Sequence, residues 1–167
     1  MTLLQRFKSY VLAWLQYGLG WCLFVSGIAA WHKRLHTYAM MQLQRASHKH
    51  HNKAQQLMGK LLTYRGETII DRRAGMALLQ QQADSGDAQA QFLLAEALLN
   101  PQLVVGAEQE QQAVKWYLLA AKQDHAMAAL RLSKAYAQGA LGLEKSEEQA
   151  QYWSSQFMRH SKMSSDL

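Results

Sequence analysis

Residues 54–158 carry a period of 36 to 38 residues, and that period constrains the fold more than any other feature of the chain. Ala54-Gln55 returns as Ala90-Gln91 and again as Ala128-Ala129. Met58-Gly59 matches Leu94-Ala95 and Leu132-Ser133, and Leu62, Leu98 and Tyr136 share one further place. After a break in each unit, Ala74, Ala113 and Ala150 open similar second segments, the last two followed by Trp116-Tyr117 and Trp153. Self-similarity at this length is the mark of stacked two-helix units, none of which can bury its apolar side alone. Pro occurs once, at Pro101, so long stretches are free of helix breakers. The expected class is all-α.

The helix ends are legible within each unit. Asp87 is placed to cap a helix running to about Leu99, with Pro101 and Gly106 in the turn that follows. The next helix is expected from about Glu108 to Lys122, with acidic residues in its first turn, where the helix dipole favours them. His125 to Gln138 is the following first helix, stopped near Gly139. Ser146-Glu147-Glu148-Gln149 fits a capping box for the last helix, and Asp71 is placed to cap a helix from Arg72 to about Ala83. Trp116, Tyr117 and Trp153 recur at repeat spacing and are expected in the core.

Two stretches carry a family resemblance. Gly86-Asp87-Ala88-Gln89-Ala90-Gln91 and the run from Ala113 through Trp116-Tyr117 and Ala120-Ala121 to Ala126 resemble the Sel-one-like repeat, a relative of the tetratricopeptide repeat. Asp124 stands where that family usually has glycine, and the glycine-rich turns of the family are degenerate here. The resemblance implies a binding scaffold, common in bacterial proteins, without catalytic residues or cofactor. It also implies that first helices line a concave face, on which Leu93, Glu96, Arg131 and Lys134 would meet a partner.

The N-terminal third reads differently. From Ser9 to Trp31 there are 23 residues without a charge. A helix of that length spans roughly 34 Å, slightly more than a ~30 Å hydrocarbon core. Tyr10 and Trp31 stand at its ends, Lys8 before it, Lys33 and Arg34 after it. The expectation is one transmembrane helix within residues 1–34, a basic, His-rich juxtamembrane helix over 35–53, about three helix-pair repeats over 54–160, and a polar tail over 161–167. Ala13, Gly20 and Gly27 recur every seven residues, interleaved with Tyr17 and Phe24, as a seam on which another transmembrane helix could pack. A cleaved signal peptide is the competing reading, and would make this an exported periplasmic or secreted repeat protein.

Charge separates the function classes. Residues 1–53 hold seven Lys/Arg and no Asp or Glu, whereas residues 54–167 balance to −1. The repeat region therefore lacks the basic surface that nucleic acid requires. The excess charge, at Lys33, Arg34, Arg45 and Lys49 among others, suits anionic lipid headgroups and places the repeats on the cytoplasmic side of a bacterial inner membrane. His32, His36, His48, His50 and His51 cluster without a carboxylate to complete a metal site. No phosphate loop, nucleophile elbow or zinc-protease motif occurs. The sequence reads as a non-enzymatic, membrane-anchored interaction scaffold, an accessory subunit or assembly factor that meets a membrane protein through its helix and a second protein through its repeats.

Overall fold

The structure is a computed structural model, and it describes residues 3–25, 33–49, 51–101, 103 and 107–165. Among the described residues eight helices follow one another: α1 (Leu3–Val25), α2 (Lys33–His48), α3 (Asn52–Arg65), α4 (Ile69–Asp84), α5 (Ala88–Leu98), α6 (Ala107–Ala121), α7 (Ala126–Gln138) and α8 (Glu147–Ser165). Packing is closest within the hairpins α1–α2, α3–α4, α5–α6 and α7–α8, and α2–α3, α4–α5 and α6–α7 join one hairpin to the next. The result is a solenoid of four helix pairs, not a lone helix followed by three.

Small residues set the spacing inside each pair. A Cβ added to Gly75 would lie 2.4 Å from the backbone nitrogen of Thr63 and 2.8 Å from the carbonyl oxygen of Gly59. The two backbones touch there, so no side chain fits. The buried counterparts of Gly75 are Ala113 and Ala150, whereas Ala74 is exposed. The repeat register of the second helix is thus one residue later than the alanines alone indicate. The same construction holds the first pair: a Cβ on Gly20 would sit 2.8 Å from Leu43 Cγ and 3.2 Å from the Ala39 oxygen. Ala13, Ala39, Leu43 and Ala46 are buried along this contact.

The first helices start on equivalent caps. Asp87 accepts from the Ala90 backbone N–H at 2.8 Å, as expected. His51 and His125 hold the same place in the units before and after it, each accepting through Nδ1 from the N–H three residues on, Ala54 at 3.3 Å and Ala128 at 3.2 Å. The cap of α4 is Thr68, three residues before the cap expected at Asp71, which is instead its reciprocal partner in a capping box. Threonine wins because its hydroxyl reaches the third N–H while the Asp71 carboxylate reaches back to the free Thr68 N–H. Ser146 Oγ accepts from Gln149 N at 3.3 Å at the start of α8.

Helices α4, α6 and α7 each stop where a following residue takes positive φ. Gly139 does so at φ 64° after α7, as expected. Gly86 (φ 94°) and Asp124 (φ 64°) occupy equivalent places before Asp87 and His125. Aspartate tolerates the left-handed region better than most L-residues, which explains how Asp124 stands where the preceding repeat carries Gly86.

Buried glutamines stitch neighbouring pairs together. Gln55 donates to the Ser47 carbonyl at 3.3 Å and accepts from Gln82 at 2.7 Å. One repeat later Gln91 donates to the Ala83 carbonyl at 3.2 Å and accepts from Gln123 at 2.9 Å. Each amide thereby satisfies a carbonyl near the end of a second helix, which burial would otherwise make costly. Tyr117, Trp153, Leu132 and Val114 form the core of the C-terminal pairs, with Trp116 packed against it.

No helix among the described residues is long and apolar enough to cross a membrane. Of the uncharged run of Ser9 to Trp31, α1 holds the residues up to Val25, and residues 26–32, with Gly27 and Trp31, lie outside the described residues.

Candidate interaction surface

The first helices α3, α5 and α7 form a continuous face. Tyr64 on α3 donates its hydroxyl to the Leu93 carbonyl on α5 at 3.2 Å. Arg131 on α7 grips Glu96 on α5 with two parallel bonds, Nε to Oε1 at 2.7 Å and a terminal nitrogen to Oε2 at 2.8 Å. Tyr117, reaching through from α6, donates to Glu96 Oε1 at 2.5 Å. Burial first, and the Glu96 carboxylate second, push the Tyr64 hydroxyl up to about 12 and hold the Tyr117 hydroxyl far above the usual phenol range. Both phenols therefore remain donors, Tyr64 to the Leu93 carbonyl and Tyr117 to Glu96, on which the Arg131 guanidinium also converges.

This network fixes the residues expected to meet a partner. Glu96 and Arg131 are joined to each other, so neither presents a free charge. Lys134 is exposed and lines a cavity of about 360 Å³ with Glu96, Tyr117, Arg131, Gln138 and Leu141. Leu93 is buried against Leu79, Ala83, Ala90 and Leu94 and shows only an edge to the surface.

At the other end, α1 closes a second recess. Trp14, Tyr17, Gly18 and Trp21 of α1 face His51, Asn52 and Lys53 across a cavity of about 680 Å³. The recess continues along α3 and α5, where Tyr17, Trp21 and Lys53 are joined by Gln56, Leu57, Lys60, Gln89 and Leu93 around about 310 Å³. Tyr17 stacks on the His51 ring with centroids 4.8 Å apart. These residues escape a reading of the repeat alone, although one signal points to part of the set. Counting back one repeat of 36 residues from Leu93 and Glu96 lands on Leu57 and Lys60.

The small-residue seam of α1 has an occupant within the chain. Ala13 and Gly20 are buried against α2, and Tyr17 turns to the recess. The Phe24 side chain and Gly27 lie outside the described residues, as do the Lys33 and Arg34 side chains. Lys49 donates to Gln16 of α1 at 3.1 Å, tying the end of α2 back to α1, and Arg45 is exposed. The opposite side of α1 is bare: Val11, Leu12, Leu15 and Leu19 are all exposed.

Geometry defines the class of protein: an all-helical solenoid of stacked hairpins with a polar network across its first helices. Among solved structures it is similar to a Sel1 repeat protein from Oxalobacter formigenes, with a TM-score of 0.66 and 23% identity. The match covers 86% of this chain, more than the residues from His51 onward can supply, so it extends into the α1–α2 hairpin. This chain spans 57% of that protein's length. No protein-family model matches the sequence, and no curated protein is significantly similar to it.

Proposed function

We propose that this chain is an interaction scaffold held at the cytoplasmic surface of a bacterial inner membrane, where it serves a membrane complex as accessory subunit or assembly factor. The observation that carries the membrane part is the uncovered side of α1. An apolar strip left bare on the outside of a solenoid calls for a cover. The exposed face of α8 is mixed, with Glu147, Glu148, Gln151 and Ser155 beside Tyr152 and Met158. On the side of α1 away from α2 and the recess, the exposed positions Val11, Leu12, Leu15 and Leu19 form a wholly apolar strip. Helices α1 to α3 contain no acidic residue, since Glu67 is the first in the chain. An apolar strip beside an acid-free basic region suits a bilayer with anionic headgroups.

The packing favours a helix lying in the plane of the interface over one that spans. Helix α2 runs against α1 with Gln44 and Arg45 exposed, and a spanning α1 would carry them into hydrocarbon unless the hairpin opened. The scaffold part rests on the Sel1-repeat fold and on the open face of first helices.

Flotation of the full chain with phosphatidylglycerol-containing vesicles tests the reading. Binding should fall by at least tenfold in a Leu15→Glu, Leu19→Glu variant and in vesicles of phosphatidylcholine alone. Alkaline carbonate washing of native membranes should release the in-plane form and retain a spanning one. Undiminished flotation of the variant would remove the membrane from the proposal, leaving the scaffold alone.

A further inference from the structure

The recess between α1 and α3 differs from the rest of the first-helix face in both shape and charge. Its α1 wall is aromatic, with Trp14 63% and Trp21 46% exposed, and Tyr17 between them on the same side of the helix. Its α3 wall carries Lys53 and Lys60, both exposed. Among the described residues neither lysine forms an ion pair. Two carboxylates of the α5 side, Asp87 and Glu96, are already committed. Asp87 accepts from Gln56 at 2.7 Å while capping α5, and Glu96 is held by Arg131 and Tyr117. Two cations are therefore left beside an apolar trough with no internal counter-charge.

We infer that this recess binds an extended acidic peptide segment of a protein partner, with one apolar or aromatic side chain seated between Trp14 and Trp21 and two carboxylates on Lys53 and Lys60. The spacing fits. Lys53 and Lys60 stand two helical turns apart, roughly 10.5 Å along α3. Carboxylates three residues apart on an extended polyproline-like strand are separated by about 9 Å on one side. The open glycine between the aromatics serves the same end, because a Cβ at Gly18 would meet nothing within 4 Å. The aromatic floor gives contact area at little entropic cost, and the flanking lysines select sign and register. An anionic lipid headgroup shares the charge chemistry, but two linked, trough-shaped cavities suit a chain better than a single headgroup. The bare side of α1 that faces a membrane, with Leu12, Leu15 and Leu19, is a separate surface from the recess.

This inference rests on the scaffold reading and is independent of the membrane one. The experiment selects binders for the full chain, in neutral detergent, from a random phage-displayed library of 12-residue peptides. Enriched peptides should hold two or more Asp/Glu around an aromatic or large aliphatic residue. Synthetic copies should lose at least tenfold in affinity for a Lys53→Glu, Lys60→Glu variant, whose changes lie on exposed positions, and for Gly18→Leu, whose Cβ enters open space and whose side chain fills the trough. Trp14→Ala should weaken them similarly. A library that enriches nothing, or yields peptides of no net acidity, would overturn the proposal. So would acidic peptides that bind all variants equally. Loss of phosphatidylglycerol flotation in the Lys53→Glu, Lys60→Glu variant, with no peptide binding by the unmodified chain, would reassign the recess to lipid. Peptide binding that survives Leu15→Glu, Leu19→Glu would separate this site from the membrane seat.

Discussion

At Gly86 a single φ angle decides what the position accepts. The residue sits at φ 94°, and an added Cβ would meet no atom within 4 Å. Gly86→Ala should therefore cost about 1–2 kcal/mol through conformation alone, read as a shift in the denaturation midpoint with an unchanged slope. Thr63 presents the opposite case. Its hydroxyl is buried with no hydrogen-bond partner, pressed beside the Gly75 crossing. Thr63→Val keeps the β-branched shape and replaces the orphaned hydroxyl by a methyl, so stability should rise by about 1 kcal/mol. A fall of similar size would mean that the hydroxyl has a partner in solution. Gly75→Ala, in contrast, forces two backbones apart and should cost more than either.

The helix caps set a pH response at the scale of the element. His51 and His125 each accept a backbone N–H through Nδ1, which requires the neutral ring. His125 also stacks on Phe92 at 4.7 Å and pairs its Nε2 with Gln89 at 3.0 Å. Burial lowers both pKa values, with Lys53 adding to the effect at His51 and Asp87 opposing it at His125. The unfolded chain, with ordinary histidines near 6.5, then binds more protons than the folded one below that pH. Stability should be full above about pH 6.5 and fall as pH drops from there toward the depressed folded values. A His51→Asp, His125→Asp variant copies the cap at Asp87 and should flatten the dependence between pH 5 and 7 in thermal melts. The period that reveals these elements was legible, since Ala54, Ala90 and Ala128 are buried to completion and no larger residue fits. The caps were legible only in part. Aspartate announces itself at Asp87, but histidine at a helix start also reads as a surface cation or a metal ligand, and the sequence does not show which ring nitrogen faces the backbone. The α1–α2 pair was hidden for a related reason. An uncharged run with glycines at heptad spacing satisfies a lipid environment and a protein groove equally well. The evidence for a groove lay in its partner, where Ala39, Leu43 and Ala46 make one apolar stripe at helical spacing.

Across the whole molecule, contacts run between neighbouring pairs, so disturbances should stay local. In a stack of this kind stability is close to a sum of unit and interface terms. Gly20→Leu places a large side chain where Leu43 and the Ala39 carbonyl already stand, which opens the α1–α2 hairpin at its tightest point. Among the described residues the pairs α5–α6 and α7–α8 do not pack closely on that hairpin, which α5 faces across the recess lined by Gln89 and Leu93. Hydrogen exchange should show protection falling by at least tenfold in α1 and α2 and partly in α3, whose Gln55 and His51 rely on Ser47 and Tyr17. Protection in α7 and α8 should hardly change. A uniform loss along all eight helices would mean that the four pairs fold as one cooperative unit, with the N-terminal hairpin as its keystone. A loss confined to α1 and α2, with α3 untouched, would mean that α2 meets α3 too weakly to transmit strain. The intermediate outcome follows from the geometry: the hairpin is closed by a glycine-to-leucine fit but tied to the next pair by a buried amide and a stacked ring, and each of those links ends at α3.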